Sequence, residues 1–242
     1  MQADIVVDLN QVSFGYDVNR PILKELNFQL RRGEKVGLIG YNGSGKTTFF
    51  QVLMGLARPV SGEMRILGRH ITSDQDFVAV RQRVGLLFQD ADDQLFCPTV
   101  LEDVTFGPLN LGKSPEQARA IAARVLDDLG LAGFENRVTH ELSGGEKKLV
   151  SLATVLAMDP EILLLDEPTN GLDEATRETI IAVLSRPEFT SVVISHEFDF
   201  LGRLTNRIVS MRHGHLVEED AEAIHSHYHV HRFGDYPHEH SP

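Results

Sequence analysis

Residues 40–48 read Gly-Tyr-Asn-Gly-Ser-Gly-Lys-Thr-Thr and directly follow the apolar run Lys35–Ile39. Four positions in this stretch have the spacing of a phosphate-binding loop, namely Gly40, Gly45, Lys46 and Thr47. Glycines let backbone N–H groups turn toward phosphate oxygens where a Cβ atom would block the approach. The stretch therefore predicts a nucleotide phosphate site between a strand and a helix, with the helix over Gly45–Leu56.

The side chains of this phosphate loop predict how the phosphates are held. Lys46 places a compact positive charge on the β- and γ-phosphates, and Thr47 offers a hydroxyl ligand to Mg²⁺. The alternative is a glycine-rich turn that binds nothing, and the strand before the loop and the helix after it argue against that. The loop residues predicted to bind the nucleotide are Gly40, Asn42, Gly43, Ser44, Gly45, Lys46, Thr47 and Thr48.

Composition narrows the class of protein. The 242 residues are 42% hydrophobic, which is enough for one sizeable α/β core, and the net charge is −12. Such an acidic chain argues against nucleic acid as the main partner, because duplex binding rests on neutralising phosphates with Lys and Arg. The single cysteine, Cys97, excludes a disulfide within the chain and fits a reducing compartment.

The sequence shows neither a membrane span nor a signal peptide. Its apolar stretches all fall short of the ~18–20 residues that a transmembrane helix needs. Met1–Asp8 lacks a basic region followed by an apolar one. We therefore expect a protein that is soluble by itself and reaches a membrane only through a partner.

Hydrophobic patterning predicts short buried strands that alternate with helices, which is typical of an α/β fold with a mainly parallel sheet. The predicted strands are Ile5–Phe14, Leu26–Leu30, Lys35–Ile39, Glu63–Leu67, Val84–Phe88, Glu161–Leu165, Ser191–Ile194, Arg207–Met211 and His215–Val217. The predicted helices beyond the loop are Leu101–Leu109, Pro115–Gly130, Ser143–Ala157 and Asp173–Leu184. Residues from about 89 to 157 read as a helical insertion.

Two carboxylates follow the apolar run 162–165. A buried strand that ends in an acid places it at the sheet edge where ligands bind in open α/β folds. Asp166 suits the shell of Mg²⁺, through water, because this ion keeps several of its waters. Glu167 suits a general base or a water-orienting group for attack on the γ-phosphate. The alternative is an acid that only caps the next turn.

A second glycine motif, Leu142-Ser143-Gly144-Gly145-Glu146, opens the helix predicted over Ser143–Ala157. Ser143 can cap this helix and bind a phosphate, and the N–H groups of Gly144 and Gly145 form a second anion site. One nucleotide does not need two such sites. Two copies that face each other would use both, because each copy offers its second site to the ATP of the other.

These motifs identify the chain as similar to the ATP-binding subunits of ATP-binding-cassette (ABC) transporters. Residues 142–146, the signature segment, resemble the family signature with Glu146 in place of the commoner Gln, and the resemblance covers about residues 6–217. It implies a phosphate-loop ATPase core, an antiparallel β subdomain and a helical subdomain within an ABC ATPase domain at 1–220. It also implies ATP and Mg²⁺ as cofactors and a dimer, either a homodimer or a heterodimer with a related ATPase.

The resemblance assigns roles to four further residues. Tyr16 resembles the aromatic that stacks on adenine, and Gln89 the hinge glutamine that senses Mg²⁺ and the γ-phosphate. Asp173 lies in a segment that resembles the loop contacting the other copy, and His196 resembles the histidine that holds the γ-phosphate. The alternatives are packing on the sheet edge for Tyr16, an ordinary loop position for Gln89, helix capping for Asp173 and a core position for His196.

The candidate site therefore has three groups of residues. The catalytic candidates are Glu167, His196, Lys46 and Gln89. The candidate Mg²⁺ ligands are Thr47, Gln89 and Asp166. The nucleotide-binding set is completed by Tyr16, Ser143, Gly144, Gly145 and Asp173.

The segment after Gln89 resembles one particular group of ABC transporter ATPases. Residues 92–96, 98–100 and 103–111, with 146–148, look like the ATPases of energy-coupling-factor importers, especially those for cobalt and nickel. In that family the segment forms a groove for helices of an integral membrane subunit, which implies a peripheral protein at the cytoplasmic face of the membrane. The candidates for this apolar contact are Leu95, Phe96, Val100, Val104 and Phe106, with ordinary subdomain core as the alternative.

Residues 221–242 are polar and rich in histidine, which is typical of a flexible chain end. The histidines are His225, His227, His229 and His231, with His238 and His240 beyond them. An extended chain would place the first four on one face, and imidazole suits Ni²⁺ and Co²⁺. The tail therefore predicts metal binding, with a solvated chain end as the alternative.

The whole sequence predicts the ATPase subunit of an importer for cobalt or nickel. An importer for a vitamin such as biotin or a cobalamin precursor is the alternative within the family, because the ATPase does not touch the cargo. A soluble ATPase of the same fold in DNA repair or on ribosomes would carry a coiled coil or a second cassette and more basic charge. A metal-storage or chaperone protein would use the tail as its main function.

Overall fold

The structure is a computed structural model that describes residues 4–17 and 20–219. Within these ranges the chain forms ten strands and seven α-helices. The strands are β1 (Ile5–Phe14), β2 (Leu23–Arg31), β3 (Lys35–Ile39), β4 (Ser61–Ile66), β5 (Arg69–His70), β6 (Val84–Leu87), β7 (Ile162–Asp166), β8 (Thr190–Ile194), β9 (Arg207–Arg212) and β10 (His215–Glu219). The helices are α1 (Lys46–Leu53), α2 (Asp74–Arg81), α3 (Val100–Asn110), α4 (Pro115–Asp128), α5 (Gly144–Leu156), α6 (Glu174–Leu184) and α7 (Phe198–Leu204).

The central sheet has six strands in the order β10-β9-β3-β8-β7-β6. The strands from β9 to β6 run parallel, and β10 pairs antiparallel with β9 at one edge. Every residue of β7 and β8 is buried, as expected for parallel strands covered on both faces. The mainly parallel sheet of the prediction is confirmed, and the carboxyl ends of its parallel strands share one edge.

A second sheet, β2-β1-β4-β5, is antiparallel throughout. It packs on α1, where Phe28 of β2 meets Phe49 edge-on with ring centroids 5.3 Å apart. This aromatic contact fixes the second sheet beside the helix that follows the phosphate loop. The antiparallel subdomain that the resemblance implies is therefore confirmed.

Helices α3, α4 and α5 form the helical subdomain, and their apolar faces share one cluster with Leu87 of β6 and Leu165 of β7. A capping box closes the N-terminus of each helix, and the pairs are Thr99–Glu102, Ser114–Gln117 and Ser143–Glu146. The longest of these helices, α4, has 14 residues. Across residues 4–17 and 20–219, the chain has no helix with the length and apolar character needed to cross a membrane.

Two residues predicted to contact a membrane subunit belong to this core instead. Val100 and Val104 are both 0% exposed, because their spacing of four residues turns both toward the buried side of α3. The prediction of a surface contact is wrong for these two valines. Phe96 and Phe106 are exposed, and Leu95 packs partly buried against the cluster.

Some element ends and three short elements differ from the prediction. Helix α1 ends at Leu53, before the predicted Leu56, because Gly55 takes a φ of 65° just past the helix end. Strand β2 begins three positions before its predicted start. The elements α2, α7 and β5 are absent from the prediction. In α2 only Phe77 and Val80 are buried, so its apolar periodicity is weak.

The histidine-rich tail, residues 221–242, lies outside the described residues. The domain boundary at residue 220 and the metal-binding role of the tail therefore stay predictions.

Gly62 of β4 lies against the bulge of β1 at Gln11. A Cβ atom at Gly62, where φ is 95°, would lie 2.5 Å from both Gln11 O and Val12 Cα. Gly68 also has a positive φ, 76°, but a Cβ there would meet no atom of the described chain within 4 Å. We expect Gly62→Ala to lower the free energy of unfolding by about 1–3 kcal/mol more than Gly68→Ala, measured by urea denaturation. Equal losses in the two variants would show that the close approach at Gly62 is absent.

Candidate functional site

The loop between β3 and α1 has the backbone shape of a phosphate site. Gly40, Gly43 and Gly45 have φ angles of 150°, 78° and 109°, a region that glycine adopts without steric cost. A Cβ atom at Gly40 would lie 2.7 Å from the carbonyl oxygen of Met211. Gly45 is the N-cap of α1 and has no side chain, so the first N–H groups of the helix face the loop without a side-chain cap.

Two side chains of the loop fit an anion. Ser44 Oγ is buried and lacks a hydrogen-bond partner among the described residues. Lys46 is 8% exposed and its Nζ donates to the carbonyl oxygens of Gly40 at 2.7 Å and Tyr41 at 3.1 Å. Burial lowers the pKa of Lys46, and two nearby carboxylates oppose this shift. Since an ammonium group has three donors, one is left for a phosphate oxygen.

Thr47 and Asp166 join the loop helix to the end of β7. Thr47 Oγ1 donates to Asp166 Oδ2 at 2.8 Å. Burial raises the pKa of Asp166, while the hydrogen bond from Thr47 and the charges of Lys148 and Lys46 oppose the rise. Gln89, just beyond β6, lines the same cleft. Hydroxyl, carboxylate and amide oxygens at this sheet edge are the ligands that Mg²⁺ prefers, so these residues fit the ion.

Glu167 is a buried acid with a strained backbone. Its φ is 47°, and its N–H donates to the carbonyl oxygen of Ile194 in β8 at 2.9 Å. The residue is 6% exposed, and its Oε1 has no hydrogen-bond partner in the described part of the chain. Burial raises the pKa of Glu167, the backbone N–H of His196 opposes this, and the charge of Asp166 adds to it. A buried carboxylate with an unpartnered oxygen suits a general base.

His196 stands opposite Glu167 just beyond β8. Its side chain is half exposed, and its Nε2 lies 3.4 Å from Glu167 Oε1. Burial and the charge of Lys46 lower the pKa of His196, while Asp166 opposes the shift. The imidazole is therefore neutral near neutral pH, when one ring nitrogen donates a hydrogen bond and the other accepts one.

The fold brings most of the predicted site residues into one cleft of about 610 Å³. The predicted residues that line it are Asn42, Gly43, Gly45, Lys46, Thr47, Thr48, Gln89, Asp166, Glu167 and His196. A neighbouring cleft of about 730 Å³ shares Thr47, Gln89 and Asp166 and includes Gly144 of the signature segment on its wall. Six predicted nucleotide-binding residues line neither cleft, and these are Tyr16, Gly40, Ser44, Ser143, Gly145 and Asp173.

The signature segment is an open helix start with its acidic residue neutralised. The Ser143 N–H donates to Glu146 Oε2 at 2.7 Å, and the Glu146 N–H donates to Ser143 Oγ at 3.3 Å. Arg137 Nη1 lies 2.6 Å from Glu146 Oε1. A Cβ atom at Gly144 would meet no described atom within 4 Å. Ser143 and Gly144 are exposed and thus accessible to another molecule, and the negative charge of Glu146 is paired with Arg137.

Tyr16 and Asp173 are placed by local contacts. The Tyr16 ring meets Phe14 edge-on at 5.0 Å, and its hydroxyl donates to Gln51 Oε1 at 3.3 Å. Tyr16 is 76% exposed, so its ring is accessible to a base. Asp173 accepts a hydrogen bond from the Thr176 N–H at 3.0 Å as the N-cap of α6. The capping role considered for Asp173 is therefore confirmed, and its contact with a second copy stays a prediction.

Three charged residues that support the site are missing from the prediction. Burial lowers the pKa of Lys148 to about 8, and nearby carboxylates oppose the shift. Glu197 accepts from Thr169 Oγ1 at 3.2 Å and pairs with Arg177 Nη2 at 2.5 Å, which ties the end of β8 to α6. Lys148 stands four residues before Leu152, so helical spacing places it on the same face of α5 as an apolar residue, and that was a usable signal. The Glu197–Arg177 pair has no such signal in the sequence.

The chain is similar to proteins of one family, the ATP-binding proteins of ABC transporters. The family model described as ABC transporter matches residues 23–170. A protein of Nitratidesulfovibrio vulgaris whose name places it among ABC transporter ATP-binding proteins is 50% identical over 97% of this chain and 86% of its own length. The energy-coupling factor transporter ATP-binding protein EcfA of Methanothermobacter thermautotrophicus is 43% identical over 88% of this chain and 70% of its own length.

Solved structures agree with the fold. CbiO1 of Clostridium perfringens, part of the ABC transporter complex CbiONQ, gives a TM-score of 0.79 at 30% identity and covers 88% of this chain and 87% of its own. A dimeric ATP-binding cassette in a post-hydrolysis state, bound to ADP and phosphate, gives 0.80 at 29% identity and covers 88% of this chain and 97% of its own. The predicted fold class is therefore confirmed.

Replacing Glu167 by Gln should stabilise the free protein. The folded-state pKa of Glu167 is raised, so folding penalises the ionised form, and this penalty is full above the folded pKa and absent below the unfolded pKa. We expect Glu167→Gln to raise the free energy of unfolding at about pH 8 by about 1–3 kcal/mol, because the amide has the size of the carboxylate and no charge to desolvate. The gain should shrink as the pH falls toward about 4.5.

Urea denaturation across this pH range, without nucleotide, measures the effect. Glu63→Gln, at an exposed position of β4, is the matched control. A Glu167→Gln variant no more stable than Glu63→Gln at any pH would contradict the assignment of Glu167 as a buried, destabilising charge.

Proposed function

Because the chain belongs to the ABC transporter family, we propose that it is the ATPase subunit of an energy-coupling-factor importer for cobalt or nickel ions. ATP hydrolysis coupled to transport is the activity of such subunits. The observation that carries the catalytic part is the cleft in which Lys46, the Thr47–Asp166 pair and the Glu167–His196 pair stand together.

The phosphate loop binds the nucleotide. Its backbone N–H groups and the third donor of Lys46 bind the β- and γ-phosphates, and the accessible ring of Tyr16 stacks on adenine. Thr47, Asp166 and Gln89 would hold Mg²⁺, which would neutralise part of the charge on the phosphates. The hydroxyl of Ser44, otherwise unpartnered among the described residues, binds a phosphate oxygen.

Glu167 and His196 catalyse hydrolysis. Glu167 Oε1 accepts a hydrogen bond from the attacking water, and its raised pKa gives it the basicity to take up a proton. The neutral His196 donates a hydrogen bond to the γ-phosphate. Because the two side chains are 3.4 Å apart, both act on the same phosphoryl group.

A second copy completes each site. Ser143 and Gly145 line neither cleft of their own chain, while Gly144 presents an open helix start. A helix N-terminus of this kind binds anions, and a dimeric relative retains ADP and phosphate. Two copies arranged head to tail would each place Ser143–Gly145 over the γ-phosphate of the other. A homodimer is sufficient, and a related ATPase could replace one copy.

The membrane subunit contacts an apolar cleft of about 310 Å³ at the rim of the helical subdomain. Phe96 and Phe106 meet edge-on there at 4.9 Å, and they are 67% and 47% exposed. Leu56, also exposed, lines the same cleft. Two exposed phenylalanines beside an apolar cleft support a docking site for a helix of the membrane partner. Bound to such a partner, the chain would be a peripheral protein at the cytoplasmic face of the membrane.

Two observations support the cargo. Residues 92–96, 98–100 and 103–111 resemble the cobalt and nickel branch of the importers. The histidines of residues 221–242 supply imidazole, a ligand for Co²⁺ and Ni²⁺. An importer for a vitamin uses the same ATPase chemistry, so the cargo is decided by transport.

Glu167→Gln should separate binding from turnover. We expect it to bind Mg–ATP as the unmodified protein does and to hydrolyse it about 10²–10⁴-fold more slowly, the usual contribution of acid–base catalysis. Lys46→Ala should weaken ATP binding itself, by about 1.5–3 kcal/mol, because it removes a charged hydrogen-bond donor. Steady-state hydrolysis and calorimetric titration measure the two effects. Near-normal turnover in Glu167→Gln would remove Glu167 from its role.

Uptake in cells that lack the protein tests the cargo. We expect accumulation of radioactive cobalt or nickel to fall in the deletion strain, to return with the unmodified gene and to stay low with Glu167→Gln, because uptake requires hydrolysis. Normal accumulation of both metals in the deletion strain would contradict the metal cargo and leave the ATPase assignment in place, and vitamin uptake would then be measured.

A further inference from the structure

Lys148 is a buried lysine that bonds to the backbone next to the predicted Mg²⁺ ligand. It is 4% exposed, and its Nζ donates to the carbonyl oxygens of Phe88 at 3.0 Å and Gln89 at 2.8 Å. Lys148 belongs to α5, the helix that Ser143 caps. One side chain therefore connects Gln89 to the helix that starts with the signature segment.

Other bonds attach the residues around Gln89 to the same helix. The Phe88 N–H donates to Gln94 Oε1 at 3.2 Å, and Gln94 Nε2 donates to Ser151 O and Thr154 Oγ1, both at 2.9 Å. Residues 88–94, the Gln89 segment, are thus held to one face of α5. Among these contacts, the bond from Lys148 is the one that reaches Gln89 itself.

Burying an ammonium group is costly, and an apolar side chain of similar length would fill the same space without that cost. Lys147, the neighbouring residue, avoids this desolvation cost because it forms its ion pair at the surface. Its Nζ lies 2.6 Å from the exposed carboxylate of Asp92. The buried position of Lys148 is therefore explained better by the two carbonyl oxygens that it holds than by packing.

We propose that Lys148 is a positioning residue that holds Gln89 and the signature segment as one rigid unit. The inference rests on the proposed dimeric ATPase. Within that dimer, Gln89 would bind Mg²⁺ in the site of its own chain, while Ser143–Gly145 would complete the site of the partner. Lys148 then has two effects. It fixes the backbone from which the Gln89 side chain reaches Mg²⁺, and it passes a displacement of Gln89 in one site to the phosphate-binding helix start in the other.

The test compares Lys148→Met with Lys147→Met, a matched loss of one lysine at the next position of α5. Hydrolysis is measured against Mg²⁺ concentration at saturating ATP and against ATP concentration at saturating Mg²⁺. We expect Lys148→Met to raise the Mg²⁺ concentration for half-maximal rate by about 10–100-fold, the usual effect of losing a residue that orients a metal ligand. Its Hill coefficient for ATP should fall toward one, and Lys147→Met should change neither quantity.

Urea denaturation shows first whether Lys148→Met folds like the unmodified protein. If it does not, Lys148→Gln takes its place, because the amide NH₂ retains N–H donors for the carbonyl oxygens without the charge, and an intermediate shift is then expected. A folded Lys148 variant with the Mg²⁺ dependence and Hill coefficient of Lys147→Met would overturn the inference while leaving the ATPase intact. Absence of hydrolysis, or of cooperativity, in the unmodified protein would instead contradict the proposed dimeric function on which the inference rests.

Discussion

The site depends on the parallel pairing of β3, β8, β7 and β6. Parallel strands end at a common edge, so this pairing gathers four chain segments that are far apart in sequence. The phosphate loop follows β3, and His196 lies just beyond β8. Asp166 is the last residue of β7 with Glu167 directly after it, and Gln89 lies just beyond β6. The Thr47–Asp166 hydrogen bond, at 2.8 Å, closes the edge by joining the first and third of these segments. Ligand binding at this edge is the usual consequence of such a sheet.

The same edge concentrates buried charges of both signs. Lys46 and Lys148 have lowered pKa values, and Asp166 and Glu167 have raised ones, with burial as the largest cause in all four. Each ionised group therefore costs folding free energy that its neighbours only partly return. Such an arrangement lowers the stability of the folded chain, and it holds charged groups in position to bind phosphate and a metal ion.

Sequence motifs located the parts of the site whose residues are adjacent in the chain. The phosphate loop, the Asp166–Glu167 pair and the signature segment each need fixed residues at fixed spacing, so they are visible before folding. The bond from Lys148 to Gln89 and the pairing of Glu197 with Arg177 join residues distant in sequence, and no local pattern reveals them. Val100 and Val104 show a related limit, because helical spacing identifies an apolar face without showing what covers it.

If two copies share their ATP sites, ATP binding must join them into a dimer, and the mass of the protein in solution measures this. Glu167→Gln is expected to bind ATP without hydrolysing it, so analytical ultracentrifugation of this variant should show a dimer with Mg–ATP and a monomer without nucleotide. Adding Ser143→Arg, which obstructs the signature segment without touching the phosphate loop, should leave the protein monomeric with ATP bound. A monomer in the single variant at saturating Mg–ATP, or a dimer unaffected by Ser143→Arg, would show that the two copies do not share their ATP sites.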